Sequence, residues 1–152
     1  MNNLDLYSEQ ERKMMLVADK SYLPGAERID ELVTFAKQMN YSKIGIANCV
    51  RFEKQAVLLE SILQEKGLET THVNCKIGKW QKETLVPNAK GMLCNPAAQA
   101  QFLSDNQSQM NLVVGLCVGH DMVFGLHSKV PTTTLVVKDR KDQHIPPSLT
   151  NE

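Results

Sequence analysis

Short apolar segments alternate with segments of helical periodicity along most of this chain, and this alternation restricts the fold more than any other feature. In Ala26–Met39 the apolar residues recur every three or four positions, as in an amphipathic helix with one buried face. Lys43–Cys49, by contrast, is a short and mostly apolar run that is typical of a strand covered on both faces. Strands that alternate with helices pair in parallel through right-handed crossovers. The sequence therefore predicts an α/β fold.

Four strands are expected, at Lys43–Cys49, Leu68–Cys75, Asn111–Cys117 and Thr132–Val137. The predicted helices between them cover Phe52–Lys66, a segment that begins at Pro96 with Asn95 as its N-cap, and Gly119–His127. We expect a three-layer Rossmann-like or flavodoxin-like parallel sheet with the strand order 2-1-3-4. A peripheral N-terminal helix from about Tyr7 to Ala18 precedes it.

The 152 residues contain no internal repeat or low-complexity linker, so we expect a single α/β domain. In this interpretation residues 1–24 are a peripheral N-terminal segment and residues 141–152 are a polar tail.

Charge and hydropathy exclude two broad classes of partner. The chain has 17 basic and 17 acidic residues, so it has no overall field that would attract nucleic acid or an anionic membrane. No segment approaches the roughly 18 consecutive apolar residues of a membrane span, and the first residues do not have the pattern of a signal peptide. We expect a soluble cytoplasmic protein that binds neither nucleic acid nor membrane.

All four cysteines are predicted at junctions between elements. Cys49, Cys75 and Cys117 end the first three strands, and Cys94 lies just before the helix that begins at Pro96. In an open parallel sheet, the carboxyl ends of the strands and the starts of the helices lie at one edge, where ligands bind. Reduced thiols are expected in a cytoplasmic protein. The sequence therefore predicts that the four thiols form one metal or iron–sulfur site, although each cysteine alone also fits a small buried side chain.

The expected strand spacing bears on the metal. Neighbouring strands lie about 4.8 Å apart, so Cys49 and Cys117 would share a zinc ion with bonds of about 2.3 Å. Cys75, on the outer strand, would be nearly twice as far from the third strand. A lone zinc ion would be strained by all four ligands, and an iron–sulfur cluster fits separated ligands better. The absence of a Cys-x-x-Cys pair leaves both metals open.

The segment Gly115–Asp121 carries the second group of candidate residues. Cys117 before a helix N-terminus is the best candidate nucleophile, because the helix dipole favours its thiolate. His120 is interpreted as a fifth metal ligand, as a general base, or as a residue that only fastens the loop. Asp121 either orients His120 or caps the helix. Lys138 and Arg140 follow the fourth strand and are candidates for binding an anionic group.

Several of these segments together resemble a family of uncharacterised prokaryotic proteins that are predicted to bind metal. The matching segments are RIDELVTFAKQM, IGIANC ending at Cys49, CKIG from Cys75, CNPAAQA from Cys94, GLCVGHD around Cys117, and TTLVVKDR. The combination of CNPxxQA with GLCVGHD is the most specific part. The resemblance implies a metal-binding role centred on the cysteines.

Three functions remain open from the sequence. The first is a metal or iron–sulfur protein with a redox or sensing role, in which Cys49, Cys75, Cys94, Cys117 and His120 are the ligands. The second is a thiol enzyme acting on a small anionic substrate, with Cys117 as nucleophile, His120 as base and Lys138 or Arg140 as anion holders. The third is a ligand-binding or homo-oligomeric scaffold in which the cysteines only pack.

Overall fold

The computed structural model describes residues 2–150, in which residues up to Tyr41 form one compact unit and residues from Ser42 onward form a second. The first unit contains α1 (Glu9–Lys20) and α2 (Arg28–Gln38). Helix α1 begins two residues later than predicted because Ser8 caps it. The Ser8 hydroxyl accepts a hydrogen bond from the Glu11 amide, and the Glu11 carboxylate accepts one from the Ser8 amide.

The two helices of this unit differ in burial as their patterns predict. Helix α1 buries only Val17, which fits a peripheral helix. Helix α2 buries Ile29, Leu32, Val33 and Ala36, the apolar stripe on which its prediction was based. The chain then leaves α2 through Asn40, which has a left-handed backbone conformation with φ of 61°.

The second unit is a four-stranded parallel sheet flanked by helices. Its elements are β1 (Lys43–Asn48), α3 (Glu53–Glu65), β2 (Glu69–Asn74), α4 (Pro96–Asp105), β3 (Met110–Val114), α5 (Val118–His127) and β4 (Thr132–Val136). The strand order is β2-β1-β3-β4 with every pair parallel, so the predicted Rossmann-like or flavodoxin-like topology is confirmed. Strands β1 and β3 are central neighbours, and the winding direction reverses between them.

Strand β3 ends earlier than the sequence prediction placed it. The prediction continued the strand to Cys117, but the strand stops at Val114, and Gly115 turns the chain with φ of 66°. A side chain at this position would collide with the ring of Phe52. Cys117 is therefore the N-cap residue of α5 instead of the last residue of the strand.

The core of the second unit is formed by the buried strands. All five residues of β3 are buried, as are the last five of β1. Outer strand β2 is more polar and has one buried residue, Val73, because only its inner edge has a neighbouring strand. In the part of the chain that the structure describes, no helix is long and apolar enough to cross a membrane.

Candidate functional site

The four cysteines lie at the carboxyl edge of the sheet, and we refer to Cys49, Cys75, Cys94 and Cys117 as the cysteine rim. Cys49 and Cys75 directly follow β1 and β2, Cys94 comes immediately before the N-cap of α4, and Cys117 is the N-cap of α5. All four are free thiols. Cys49 and Cys75 are buried, with 6% and 2% of their surface exposed, whereas Cys94 and Cys117 are half-buried. The predicted placement of the thiols along one edge is thus observed.

Backbone hydrogen bonds fix the segments of the rim to one another. The amide of Cys49 donates to the carbonyl of Val114 at 3.0 Å, which continues the pairing of β1 with β3 beyond the strand ends. The amide of Asn95 donates to the carbonyl of Cys75 at 2.8 Å, which joins the segment after β2 to the start of α4. Main-chain contacts therefore hold the segments that carry Cys49, Cys75 and Cys94.

Lys138 connects two of the thiols. Its ammonium lies 2.9 Å from the Cys49 sulfur and 3.3 Å from the Cys117 sulfur, so the two sulfurs are no farther apart than the sum of these distances. The ammonium also lies 6.0 Å from the centroid of the buried Phe52 ring. Burial alone would lower the pKa of Lys138, but the hydrogen bonds to Cys49 and Cys117 outweigh burial and raise it. The lysine thus stays charged beside the two sulfurs.

Cys49 and Cys75 form a coupled pair. The Cys75 thiol donates a hydrogen bond to Cys49, and this contact, together with the Lys138 ammonium and against the effect of burial, lowers the pKa of Cys49 to about 5. The same contact, with burial, raises the pKa of Cys75 well above its usual range. The Val50 amide donates to the Cys75 sulfur at 3.4 Å. The pair therefore holds one proton at neutral pH, and the negative charge resides on Cys49.

Cys94 contacts a second lysine, Lys76. The Lys76 ammonium lies 3.1 Å from the Cys94 sulfur and 2.7 Å from the carbonyl of Met92. Since Lys76 follows Cys75 directly in the sequence, one short segment supplies both a thiol and a cation to the rim. Two lysines thus contact three of the four sulfurs.

His120 and Asp121 lie in the first turn of α5, shortly after Cys117. In residues 2–150 no hydrogen bond joins His120 to Cys117, whose partner is Lys138. Burial, followed by the charges of Lys138 and Lys82, lowers the pKa of His120, so its imidazole is neutral at pH 7. The expected cap at Asp121 is wrong, because Cys117 occupies the N-cap. Asp121 instead shares a hydrogen bond with Thr134, and burial raises its pKa.

Gln99 supports the strand ends that carry the cysteine rim, and the sequence prediction did not identify it. It is fully buried, and its side-chain amide donates to the carbonyls of Asn48 at 3.1 Å and Val73 at 2.8 Å. These contacts join the carboxyl ends of β1 and β2, next to Cys49 and Cys75. Its position in the sequence could have identified it. Gln99 lies on the same helical face as Pro96, Ala100 and Leu103, and a polar side chain on a buried face needs hydrogen-bond partners.

The rim has the donor chemistry of a soft metal site without a ready arrangement for one ion. Thiolates are the ligands that zinc and iron–sulfur clusters prefer. Among the residues that the structure describes, however, no three His, Cys, Asp or Glu side chains are grouped so that they could hold a metal ion. The ammonium groups of Lys138 and Lys76 lie directly against the sulfurs. The sulfurs of the rim therefore already interact with cationic groups.

Comparison with known proteins identifies the family of this chain. The family model described as "Protein of unknown function (DUF1847)" matches residues 2–135. The chain is also 39% identical over 131 residues to "Uncharacterized protein MJ0455" of Methanocaldococcus jannaschii, an alignment that covers 83% of this chain and 67% of the relative. No solved structure matches the chain.

Proposed function

The chain belongs to the DUF1847 family, and we propose that it binds a soft metal ion or an iron–sulfur cluster through its four cysteines. The observation that carries the proposal is the gathering of all four thiols at one edge of the sheet, where parallel α/β sheets bind their ligands.

The charge of the rim supports the same proposal. A thiolate at Cys49 and the sulfur of Cys117 both contact one ammonium group, so a cation is already stabilised between two sulfurs. A metal cation is a stronger partner for thiolates than an ammonium group is. For binding, the Lys138 and Lys76 side chains must swing away from the sulfurs, and both have flexible stems that allow it.

A cluster suits the rim better than a single zinc ion does. The four cysteines come from the ends of two strands and the starts of two helices, and the ligands of a cluster, which bind different metal atoms, stand farther apart than the ligands of one ion. Cys49, Cys75, Cys94 and Cys117 would hold the cluster, with His120 as an additional ligand on the first turn of α5. When bound, such a cluster would supply one-electron redox chemistry, in keeping with a redox or sensing role.

Metal content tests this proposal. After anaerobic purification we expect about one cluster or ion per chain, measured by elemental analysis and by visible absorption. Replacing any one rim cysteine with Ser should remove most of the metal, because a hydroxyl is a poor ligand for these metals. The matched control is His127→Ala, which removes an exposed potential ligand at the far end of α5 and should leave the metal content unchanged. A colourless protein without metal would refute the proposal.

A second candidate function is thiol chemistry at Cys117, favoured by one specific contact. Cys117 is the half-buried N-cap of α5, so its sulfur lies at a positive helix end and 3.3 Å from the Lys138 ammonium. Lys138 would then take the place that the sequence prediction gave to His120, stabilising the thiolate by charge without removing a proton.

Alkylation rates separate this candidate from the first. If Cys117 is a nucleophile, iodoacetamide should modify it at least about ten-fold faster than the other three thiols in metal-free protein, as measured by peptide mass spectrometry. Lys138→Met should slow that modification, while Lys129→Met, which removes a lysine before the start of β4, should not. Equal rates at all four thiols would exclude the candidate.

A further inference from the structure

A cleft beside the rim is lined mainly by polar and cationic side chains. It encloses about 550 Å³, a volume within the usual range of small-molecule sites. One wall comes from the turn after β1 and the start of α3, and the other comes from the segment after β4. The lining residues are Arg51, Phe52, Gln55, Lys138, Asp139, Arg140 and Gln143.

The two arginines of this cleft have no acidic partner. In residues 2–150 neither the Arg51 nor the Arg140 guanidinium has a carboxylate or hydrogen-bond partner. The one acidic residue of the lining, Asp139, accepts hydrogen bonds from the amides of Lys141 at 2.7 Å and Asp142 at 2.9 Å. Its carboxylate is thus engaged with its own loop. Two guanidinium groups without an acidic partner therefore line the cleft, whereas the third cation, the Lys138 ammonium, already contacts the sulfurs of Cys49 and Cys117.

We infer that this cleft binds a small molecule that carries a phosphate group. Guanidinium groups form paired, charge-assisted hydrogen bonds with phosphate oxygens, and each wall of the cleft supplies one guanidinium group. The amides of Gln55 and Gln143 add neutral hydrogen-bonding groups for the remainder of the ligand. The cleft is much larger than a bare phosphate ion, which leaves room for an organic part.

The bound anion lies next to the cysteine rim. Lys138 lines the cleft and contacts the sulfurs of Cys49 and Cys117, and the backbone amide of Arg51 hydrogen-bonds to Cys49. The ligand would therefore be held beside the thiols, in the position of a substrate or an effector of the rim. The inference does not depend on metal binding, because the guanidinium groups that carry it are outside the proposed ligand set.

Titration with inorganic phosphate tests this inference. We expect saturable binding by isothermal titration calorimetry in a buffer without other oxyanions. Arg51→Gln and Arg140→Gln should each weaken the binding by about ten-fold or more, since each removes a charge-assisted pair of hydrogen bonds. Both side chains are exposed, so the variants should retain the circular dichroism spectrum and thermal stability of the natural protein.

The control is Lys129→Gln, which removes one exposed positive charge from the loop before β4, at the opposite edge of the sheet. Unchanged affinity in this variant, together with the loss in both arginine variants, would establish a specific site. Absence of saturable binding, or equal weakening in all three variants, would overturn the inference. Because the titration is performed on protein with and without its metal, its result is separate from that of the metal analysis.

Discussion

Replacing Gly115 with Ala is expected to destabilise the protein by roughly 2–4 kcal/mol. The residue has φ of 66°, where a side chain costs about 1 kcal/mol, and a Cβ atom there would collide with the ring of Phe52. Phe52 has only 4% of its surface exposed, so its ring has little room to move. Chemical unfolding measures the free energy directly, and thermal unfolding should show a midpoint about 10 °C lower.

Gly125→Ala is the matched control for this prediction. Gly125 lies inside α5, and a Cβ atom there would meet nothing within 4 Å. Alanine is the better helix former, so this variant should be more stable than the natural protein by about 0.5–1 kcal/mol. If the two variants had the same stability, the turn after β3 would not have the conformation described, and the support of Lys138 by the Phe52 ring would be in doubt.

The topology could be predicted because it follows from local patterns. The apolar stripe of α2 and the short apolar runs of β1 and β3 each identify their element, and the handedness of crossovers then limits the strand order. The end of β3 could not be predicted in the same way. Its apolar pattern continues through Leu116 and Cys117, whereas the positive φ of Gly115 and the packing of Phe52 against it depend on the tertiary structure.

The site was predictable as far as the main chain sets it. Cys49 and Cys75 follow their strands, so parallel topology alone brings them to one edge. The side-chain contacts were not predictable, because they depend on long flexible residues from distant segments. Lys138 reaches Cys49 across 89 positions of the sequence, and no local pattern distinguishes it from a solvated surface lysine. The metal and anion assignments remain predictions from these contacts.

The stability of metal-free, reduced protein should depend on pH through Cys49 and Cys75. The pKa of Cys49 is about 5 in the folded state, against about 8.5 for a free cysteine, so the folded form releases a proton that the unfolded form keeps. Stability should therefore rise as pH increases from 5 to 8.5, by at most about 1.4 kcal/mol per pH unit. Above pH 8.5 it should fall, because the raised pKa of Cys75 makes the folded form retain a proton that the unfolded form loses.

Urea unfolding of the natural protein and of Cys49→Ala, compared at each pH, isolates this effect from the carboxylates that titrate near pH 5. The difference in free energy of unfolding between the two should increase from pH 5 to a maximum that is reached near pH 8.5, because in this range only the natural protein gains stability from the thiolate of Cys49. Lys138→Met should reduce the maximum, since the ammonium contributes to the lowered pKa of Cys49, whereas Lys129→Met, remote from the rim, should preserve it. A difference that stays constant with pH would mean that Cys49 carries no thiolate, and the cation-attracting character of the rim would then lose its basis.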